Sequence, residues 1–227
     1  MGGLGNQLFQ IFTTISYAIT NKVKFIFPYS SILKDPTINR YTYWDSLLES
    51  LKMFTTFNNN HNTDLYNFSI FRENGFNYQI LPIFQMNTMI YGYWQSYKYF
   101  HDKTDIIFKM IRLRQIKESI KSEFSRYFDE NFDLISMHFR LGDYKLKQDY
   151  HPILPYEYYE KSIQYILEKT TDKKKLVLYF CEKEDNDTVF EHIQRLNKQF
   201  PSILFVKADD NIPDWKQLIL MLSLIHI

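Results

Sequence analysis

The feature that most constrains the fold of this chain is an alternation of short apolar runs and amphipathic segments after residue 130. One apolar run begins at Phe132, and two more follow at Leu176–Phe180 and Ile203–Val206. Strands that alternate with helices favour a parallel sheet with helices on its faces, so the sequence predicts an α/β fold. The intervening segments carry apolar residues at helical spacing, and they begin near Pro155, Asp187 and Asp214.

The first of these apolar runs ends in a group of polar residues. His138, Arg140 and Asp143 follow one another closely, and Gly142 permits a turn among them. On a continuing strand, His138 and Arg140 would share a face, because side chains alternate with a period of two. An imidazole beside a guanidinium suits a phosphate, since guanidinium is always charged and can bond two oxygens at once. An ordinary strand end, with a salt bridge between Arg140 and Asp143, explains these residues equally well.

A glycine-rich segment opens the chain. Gly3, Gly5 and Asn6 lead into apolar residues at helical spacing. Glycines before a helix let backbone N–H groups approach an anion or a sugar closely. The signal is weak alone, because the third glycine of the dinucleotide fingerprint is missing. After this helix, alternating apolar residues predict a strand over Lys22–Pro28.

A second glycine introduces a run of aromatic residues in the middle of the chain. Gly92 is followed by Tyr93, Trp94 and Gln95, a combination that suits the wall of a sugar pocket. A packed corner between two elements is at least as common an explanation for aromatic residues. Farther along, apolar residues at helical spacing predict one long charged helix over Ile107–Phe128.

Composition and charge exclude several classes of protein. Of the 227 residues, 45% are hydrophobic and 23% are charged, which is typical of a globular chain. The formal net charge of +1 provides no global field that would attract nucleic acid. Cys181 is the single cysteine, so an intrachain disulfide and a cysteine-built metal site are both excluded. No apolar run approaches the about 20 residues that span a bilayer, and no signal peptide is seen, so a cytoplasmic location is expected.

Three segments of the chain carry a combined signal: Gly2–Gln10, Gly92–Phe100 and His138–Tyr144. Together and in this order, they resemble glycosyltransferase family 11, the α-1,2-fucosyltransferases. The resemblance implies a GT-B-like enzyme of two Rossmann-type parallel-sheet domains, with the second incomplete. It places an acceptor-side domain at residues 1–129 and a donor-binding domain at residues 130–227.

The resemblance also implies a reaction and its partners. L-fucose would move from GDP-β-L-fucose to the 2-hydroxyl of a terminal β-galactoside, with inversion and without a metal or other cofactor. The partners would be this donor and a galactose-containing glycan, with no nucleic acid. A lipid-linked glycan would bring the enzyme to the inner face of the membrane as a peripheral protein.

The same resemblance suggests roles for particular residues. His138 and Asp143 are the catalytic candidates, with the base unassigned, and an orienting role of Asp143 toward Arg140 is favoured. The donor side would be formed by Arg140, Gly142, Gly3, Gly5 and Asn6. The acceptor side of the cleft would be formed by Gln7, Tyr93, Trp94 and Gln95.

The sequence departs from the family pattern in three places. Leu141 stands where many members have a second arginine, and Cys181-Glu182-Lys183 stands where Ser-Asp-Asp is usual. The segment that follows the last helix in the family is missing, and residues 222–227 look like translated adapter sequence. We therefore expect a fragment that is truncated at both ends.

Two other classes of function stay open. A metal-dependent transferase would use Asp185 and Asp187 to hold Mn²⁺, although acids that cap a helix are the favoured interpretation of this pair. A relative that binds a nucleotide sugar or a glycan without catalysis is the other alternative.

Overall fold

The structure is a computed structural model that describes residues 2–34, 39–58, 65–170 and 173–227. The chain divides into two compact units, residues 1–116 and residues 117–227. The division falls within a helix, whereas the sequence placed the domain boundary between residues 129 and 130. The assignment of the two domains to acceptor and donor stays a prediction.

The first unit combines one long helix with short strands. In chain order, its α-helices and strands within the described residues are α1 (Leu4–Asn21), β1 (Ile32–Leu33), β2 (Arg40–Tyr41), β3 (Ser69–Arg72), β4 (Thr88–Tyr91) and α2 (Thr104–Met110). β1 and β2 pair in antiparallel fashion, and β3 and β4 pair in parallel. α1 buries Ile11, Ile15 and Ala18, which share one face at helical spacing.

The strand predicted over Lys22–Pro28 is wrong. Of these residues, only Phe27 forms a bridge, in parallel with Thr55. The rings of Phe25 and Phe27 instead pack against other aromatic side chains, with Phe54 5.1 Å from Phe25 and Trp44 5.4 Å from Phe27 between ring centroids. Phe27 is buried whereas Val23 is exposed, so the apolar residues of this segment pack locally against aromatic rings and do not form a strand ladder.

The single long helix predicted over Ile107–Phe128 is also wrong. α2 stops at Met110, and a separate helix, α3, covers Leu113–Glu123. Arg112 lies between them with a φ of 55°, in the left-handed region that an α-helix cannot continue through. The turn at Arg112 therefore divides the segment into two helices.

The second unit is a parallel α/β sandwich, as the sequence predicts. Its further elements are β5 (Phe132–His138), α4 (Tyr156–Lys169), β6 (Lys174–Phe180), α5 (Asn186–Gln199), β7 (Ile203–Lys207), α6 (Asp214–Met221) and β8 (Ile225–His226). The strands lie in the order β7-β6-β5-β8, and each neighbouring pair is parallel. The mixed α/β class and the parallel sheet are thus confirmed.

Helices cover both faces of this sheet. On one face, Met137 packs in a common core with Ile163 of α4 and Val189 of α5. Burial of side chains of this size contributes about 1.5–3 kcal/mol each. On the other face, the Ser136 hydroxyl lies 3.4 Å from the Met221 carbonyl oxygen, at the end of α6. The sheet is therefore held between helices, and its strand ends face the loops that carry the polar residues.

Candidate functional site

The candidate site lies at the carboxyl edge of the parallel sheet in the second unit. From β5 the chain moves outward through β6 to β7, and it then crosses to the opposite side of β5 to form β8. The strand order therefore reverses at β5. Open α/β sheets bind ligands at the carboxyl ends of strands where the order reverses, and the loop after β5 occupies this position.

Arg140 is the exposed cation of this loop. β5 ends at His138, so Arg140 lies two residues beyond the strand and does not share a strand face with it. Its Nη2 donates to Asp143 Oδ1 at 2.8 Å, and its Nη1 donates to Glu182 Oε1 at 2.7 Å. A guanidinium has five N–H donors, so donors remain beyond these two bonds. With 43% of its side chain exposed, Arg140 is accessible to an anion from solvent.

Asp185 ties the loop after β5 to the loop after β6. Its side chain is 1% exposed, and Lys145 Nζ lies 2.5 Å from Oδ1. Its Oδ2 accepts the Gly142 backbone N–H at 2.8 Å. Burial raises the pKa of Asp185, but the bonds from Lys145 and Gly142 outweigh burial, and the pKa is lowered overall. The carboxylate is therefore charged, buried and engaged at both oxygens.

The expected role of Asp185 in capping its helix needs a correction. Asp185 precedes α5 at the cap position, but its side chain makes no capping hydrogen bond and points to the Gly142 loop instead. Asp187 lies in the first turn of α5. Across the described ranges, no group of three or more His, Cys, Asp and Glu side chains is placed to hold a metal ion. Because both Asp185 oxygens already have partners, this arrangement does not favour the proposed metal pair.

Gly142 occupies a position that favours glycine. Its φ is 31°, and an added Cβ would lie 2.6 Å from Glu182 Oε2. The Glu182 carboxylate thus rests directly against the Gly142 backbone while it bonds Arg140. The sequence assigned the backbone near Gly142 to the donor phosphates. The Gly142 N–H is, however, already engaged by Asp185, and this part of the expectation needs correction.

His138 lies at the end of β5, beside an open pocket of about 780 Å³ that Tyr158, Lys161 and His226 also line. Burial, followed by the nearby charges of Arg140 and His226, lowers the pKa of His138. An imidazole of lowered pKa is neutral at pH 7 and can accept a proton. His226 falls in the segment that looks like translated adapter sequence, yet its Nδ1 lies 2.9 Å from the Ser136 hydroxyl.

The lowered pKa of His138 predicts a pH dependence of stability. The unfolded chain takes up a proton below about pH 6.5, whereas the folded protein resists protonation. The stabilisation is therefore complete above pH 6.5 and is lost as the pH falls toward the folded pKa. Urea unfolding at pH 7.5 and at pH 5 is expected to show a smaller free energy of unfolding at pH 5.

The variant His138→Gln isolates this contribution. It should reduce the loss between the two pH values without abolishing it, because burial also lowers the pKa of His192. An identical pH dependence in the variant and the wild type would contradict the assignment to His138.

In the first unit, the structure brings two of the segments of the resemblance together. α1 begins at Leu4 with Gly3 at its cap position, so Gly5 and Asn6 lie in the first helical turn and not in a loop. Asn6 Oδ1 accepts a hydrogen bond from Gln95 Nε2 at 2.6 Å, and this contact joins the glycine-rich segment to the aromatic segment. The roles of Gly3, Gly5, Asn6 and Gln95 in ligand binding stay predictions.

Two residues expected on the acceptor side have structural partners instead. Gln7 is buried, and its amide nitrogen donates to the backbone oxygens of Tyr41 at 2.9 Å and Gly2 at 3.3 Å. Trp94 is 0% exposed, and its ring stacks on Phe71. These side chains are used inside the unit, so their predicted place in an open cleft is corrected.

Tyr93 is 38% exposed. Its backbone is hydrogen-bonded by Glu73, an acid that the sequence analysis did not identify as a site residue. Glu73 Oε2 accepts the Tyr93 N–H at 2.7 Å, and the same carboxylate accepts the Trp94 N–H. Trp94 has a φ of 55°, a left-handed conformation that is rare for a large aromatic residue. Glu73 therefore supports the strained turn that presents Tyr93 and Gln95.

Another pocket, of about 570 Å³, lies after β7, and the sequence did not predict it. It is lined by both charge types, with Lys183 and Lys207 beside Asp209 and Asp210. Asp209 also accepts a hydrogen bond from the Asn211 backbone N–H at 2.9 Å. The two acids that follow β7 after Ala208 were the signal in the sequence for this pocket.

Comparison of the chain with protein family models, curated proteins and solved structures finds no match. Within the ranges that the structure covers, no helix has the length and apolar character to cross a membrane.

Proposed function

We propose that the chain is part of an inverting, metal-independent transferase that moves L-fucose from GDP-β-L-fucose to the 2-hydroxyl of a terminal β-galactoside. The observation that carries the proposal is the position of Arg140. It is an exposed guanidinium with unused N–H donors, and it follows β5 at the carboxyl edge of the parallel sheet that β5, β6 and β7 form, which is the edge where open α/β sheets bind ligands. A GT-B-like arrangement, with residues 1–129 on the acceptor side and residues 130–227 on the donor side, belongs to this proposal.

The chemistry of the reaction explains why Arg140 matters. As the bond between fucose and phosphate breaks, negative charge grows on the departing GDP. A metal-free site must meet this charge with fixed cations and N–H donors, and Arg140 is such a cation. Asp143, which bonds Arg140 Nη2 from the same loop, would orient the guanidinium. We infer that the nucleoside occupies the pocket of Lys183 and Lys207, which is large enough to accept it.

The acceptor hydroxyl must also lose a proton as it attacks. His138 is neutral at pH 7 because burial lowers its pKa, so it can serve as a base. Asp143 is the other candidate, although its bond to Arg140 favours the orienting role. The natural acceptor is proposed only as a galactose-containing glycan. A lipid-linked glycan would draw the enzyme to the cytoplasmic face of a membrane as a peripheral protein.

A transfer assay in EDTA tests the proposal. The protein is incubated with GDP-fucose and a terminal β-galactoside, and both the released GDP and the linkage of the product are measured. Release of GDP with fucose on the 2-hydroxyl is the expected result. Turnover that requires Mn²⁺ would favour the metal-dependent alternative. GDP binding without transfer to any galactoside would favour a binding relative, and the absence of GDP binding would overturn the proposal.

A further inference from the structure

Two carboxylates hold Arg140, and they differ in origin. Asp143 comes from the same loop, three residues along the chain. Glu182 reaches Arg140 from the loop after β6, and 46% of its side chain is exposed. The charged nitrogens of Arg140 are therefore covered on one side by an acid that is partly exposed to solvent.

The Glu182 carboxylate occupies the position that an anionic ligand would take. It accepts from Arg140 Nη1 at 2.7 Å and lies against the Gly142 backbone, where an added Cβ would meet its oxygens at 2.6 and 2.9 Å. A carboxylate and a phosphate present similar paired oxygens to a guanidinium. Glu182 thus makes the same kind of contact with Arg140 that a bound diphosphate would make.

Asp185, unlike Glu182, is a carboxylate that a ligand could displace only at a high cost in free energy. Asp185 is buried and bonded at both oxygens, so its removal from the Gly142 N–H would expose unpaired groups. Glu182 is half-exposed, and water can solvate it once it leaves Arg140. Exposed ion pairs contribute little to stability, so displacement of Glu182 costs little.

We propose that Glu182 is an internal competitor for Arg140 that the diphosphate of the donor displaces, and that it thereby sets the affinity of the site for the donor. The identity of the anion as a nucleotide diphosphate rests on the proposed function. The competition itself follows from the contacts of Glu182 with Arg140 and Gly142.

The test measures binding of inorganic pyrophosphate by calorimetry at constant ionic strength. Glu182→Gln removes the negative charge and keeps the size of the side chain. The matched control is Glu184→Gln, because Glu184 is exposed in the same segment and its replacement changes the net charge equally. We expect Glu182→Gln to bind pyrophosphate about fivefold more tightly than wild type, and Glu184→Gln to stay within about twofold.

Every other outcome overturns the competition. An affinity of Glu182→Gln equal to or below that of wild type would show that Glu182 does not compete. An equal gain in both variants would assign the effect to net charge, and pyrophosphate binding by none of the three proteins would remove the anion site itself. Thermal unfolding checks that the variants fold, and Glu182→Ser provides a second removal of the carboxylate with the same expected gain.

Failure of the inference and failure of the proposed function are separable. If Glu182→Gln bound pyrophosphate more tightly and wild type transferred no fucose, the competition between Glu182 and the anion would be supported and the transferase function rejected. Fucose transfer by wild type, with no gain in Glu182→Gln, would keep the transferase and reject the competition.

Discussion

Replacement of Arg140 by alanine is expected to weaken GDP binding by about 1.5–3 kcal/mol, which is the range for hydrogen bonds to charged groups. The loss has two sources. The variant removes the guanidinium donors, and it also leaves Asp143 and Glu182 without their shared cation. Two carboxylates without this cation would repel the diphosphate, so the effect should fall in the upper part of the range.

Calorimetry with GDP in EDTA measures this effect, and two further variants separate its causes. Arg140→Lys keeps the charge but lacks the planar fork that bonds both carboxylates, so an intermediate affinity is expected. Lys174→Ala removes one positive charge at the opposite, amino end of β6, and it should bind GDP as wild type does. Equal GDP affinity in wild type and Arg140→Ala would refute the assignment of the diphosphate to Arg140.

Replacement of Asp185 by alanine is expected to lower the free energy of unfolding by about 2–4 kcal/mol. The variant leaves Lys145 without its partner and the Gly142 N–H without an acceptor, and breaking a buried ion pair is strongly destabilising. Exposure of Lys145 to water keeps the loss below that of a fully buried pair. Because the pKa of Asp185 is lowered, its contribution is present above about pH 4 and is lost as the pH falls further.

Urea unfolding at pH 7 tests this prediction, and Asp187→Ala is the matched control. Asp187 is an exposed acid in the first turn of α5, so its removal should cost no more than about 1 kcal/mol. Similar losses in the two variants would contradict the structural role of Asp185. If Asp185→Ala kept the stability of wild type but lost an activity that EDTA also abolishes, the metal-dependent transferase would become the favoured alternative.

The fold of the second unit could be predicted from the sequence because its signals are local. The apolar run at Leu176–Phe180 predicts a strand, and the apolar spacing after Pro155 predicts a helix, each from a few neighbouring residues. The structure contains both elements. The first unit offered weaker signals. Arg112 adopts a left-handed conformation without the glycine that usually marks such a turn, so the break between α2 and α3 could not be anticipated.

The candidate site shows the same division between near and distant contacts. The bond between Arg140 and Asp143 spans three positions, and the sequence suggested it. The bonds from Arg140 to Glu182 and from Gly142 to Asp185 span 42 and 43 positions, and they depend on how two strands align. Trp94 was expected in a cleft because aromatic residues suit both sugars and cores, and only its burial distinguishes these uses.

The contact between Gly142 and Glu182 constrains how this protein can change over evolutionary time. A side chain at position 142 would begin 2.6 Å from the Glu182 carboxylate, so it cannot be accommodated while a long acid at position 182 keeps this place. A side chain at position 142 therefore requires Glu182 to leave this place, either by turning into solvent or by replacement with a shorter residue. A residue other than glycine at position 142 would thus also change the contacts of Arg140, and variation at positions 142 and 182 is expected to be correlated among relatives that share this pair of loops.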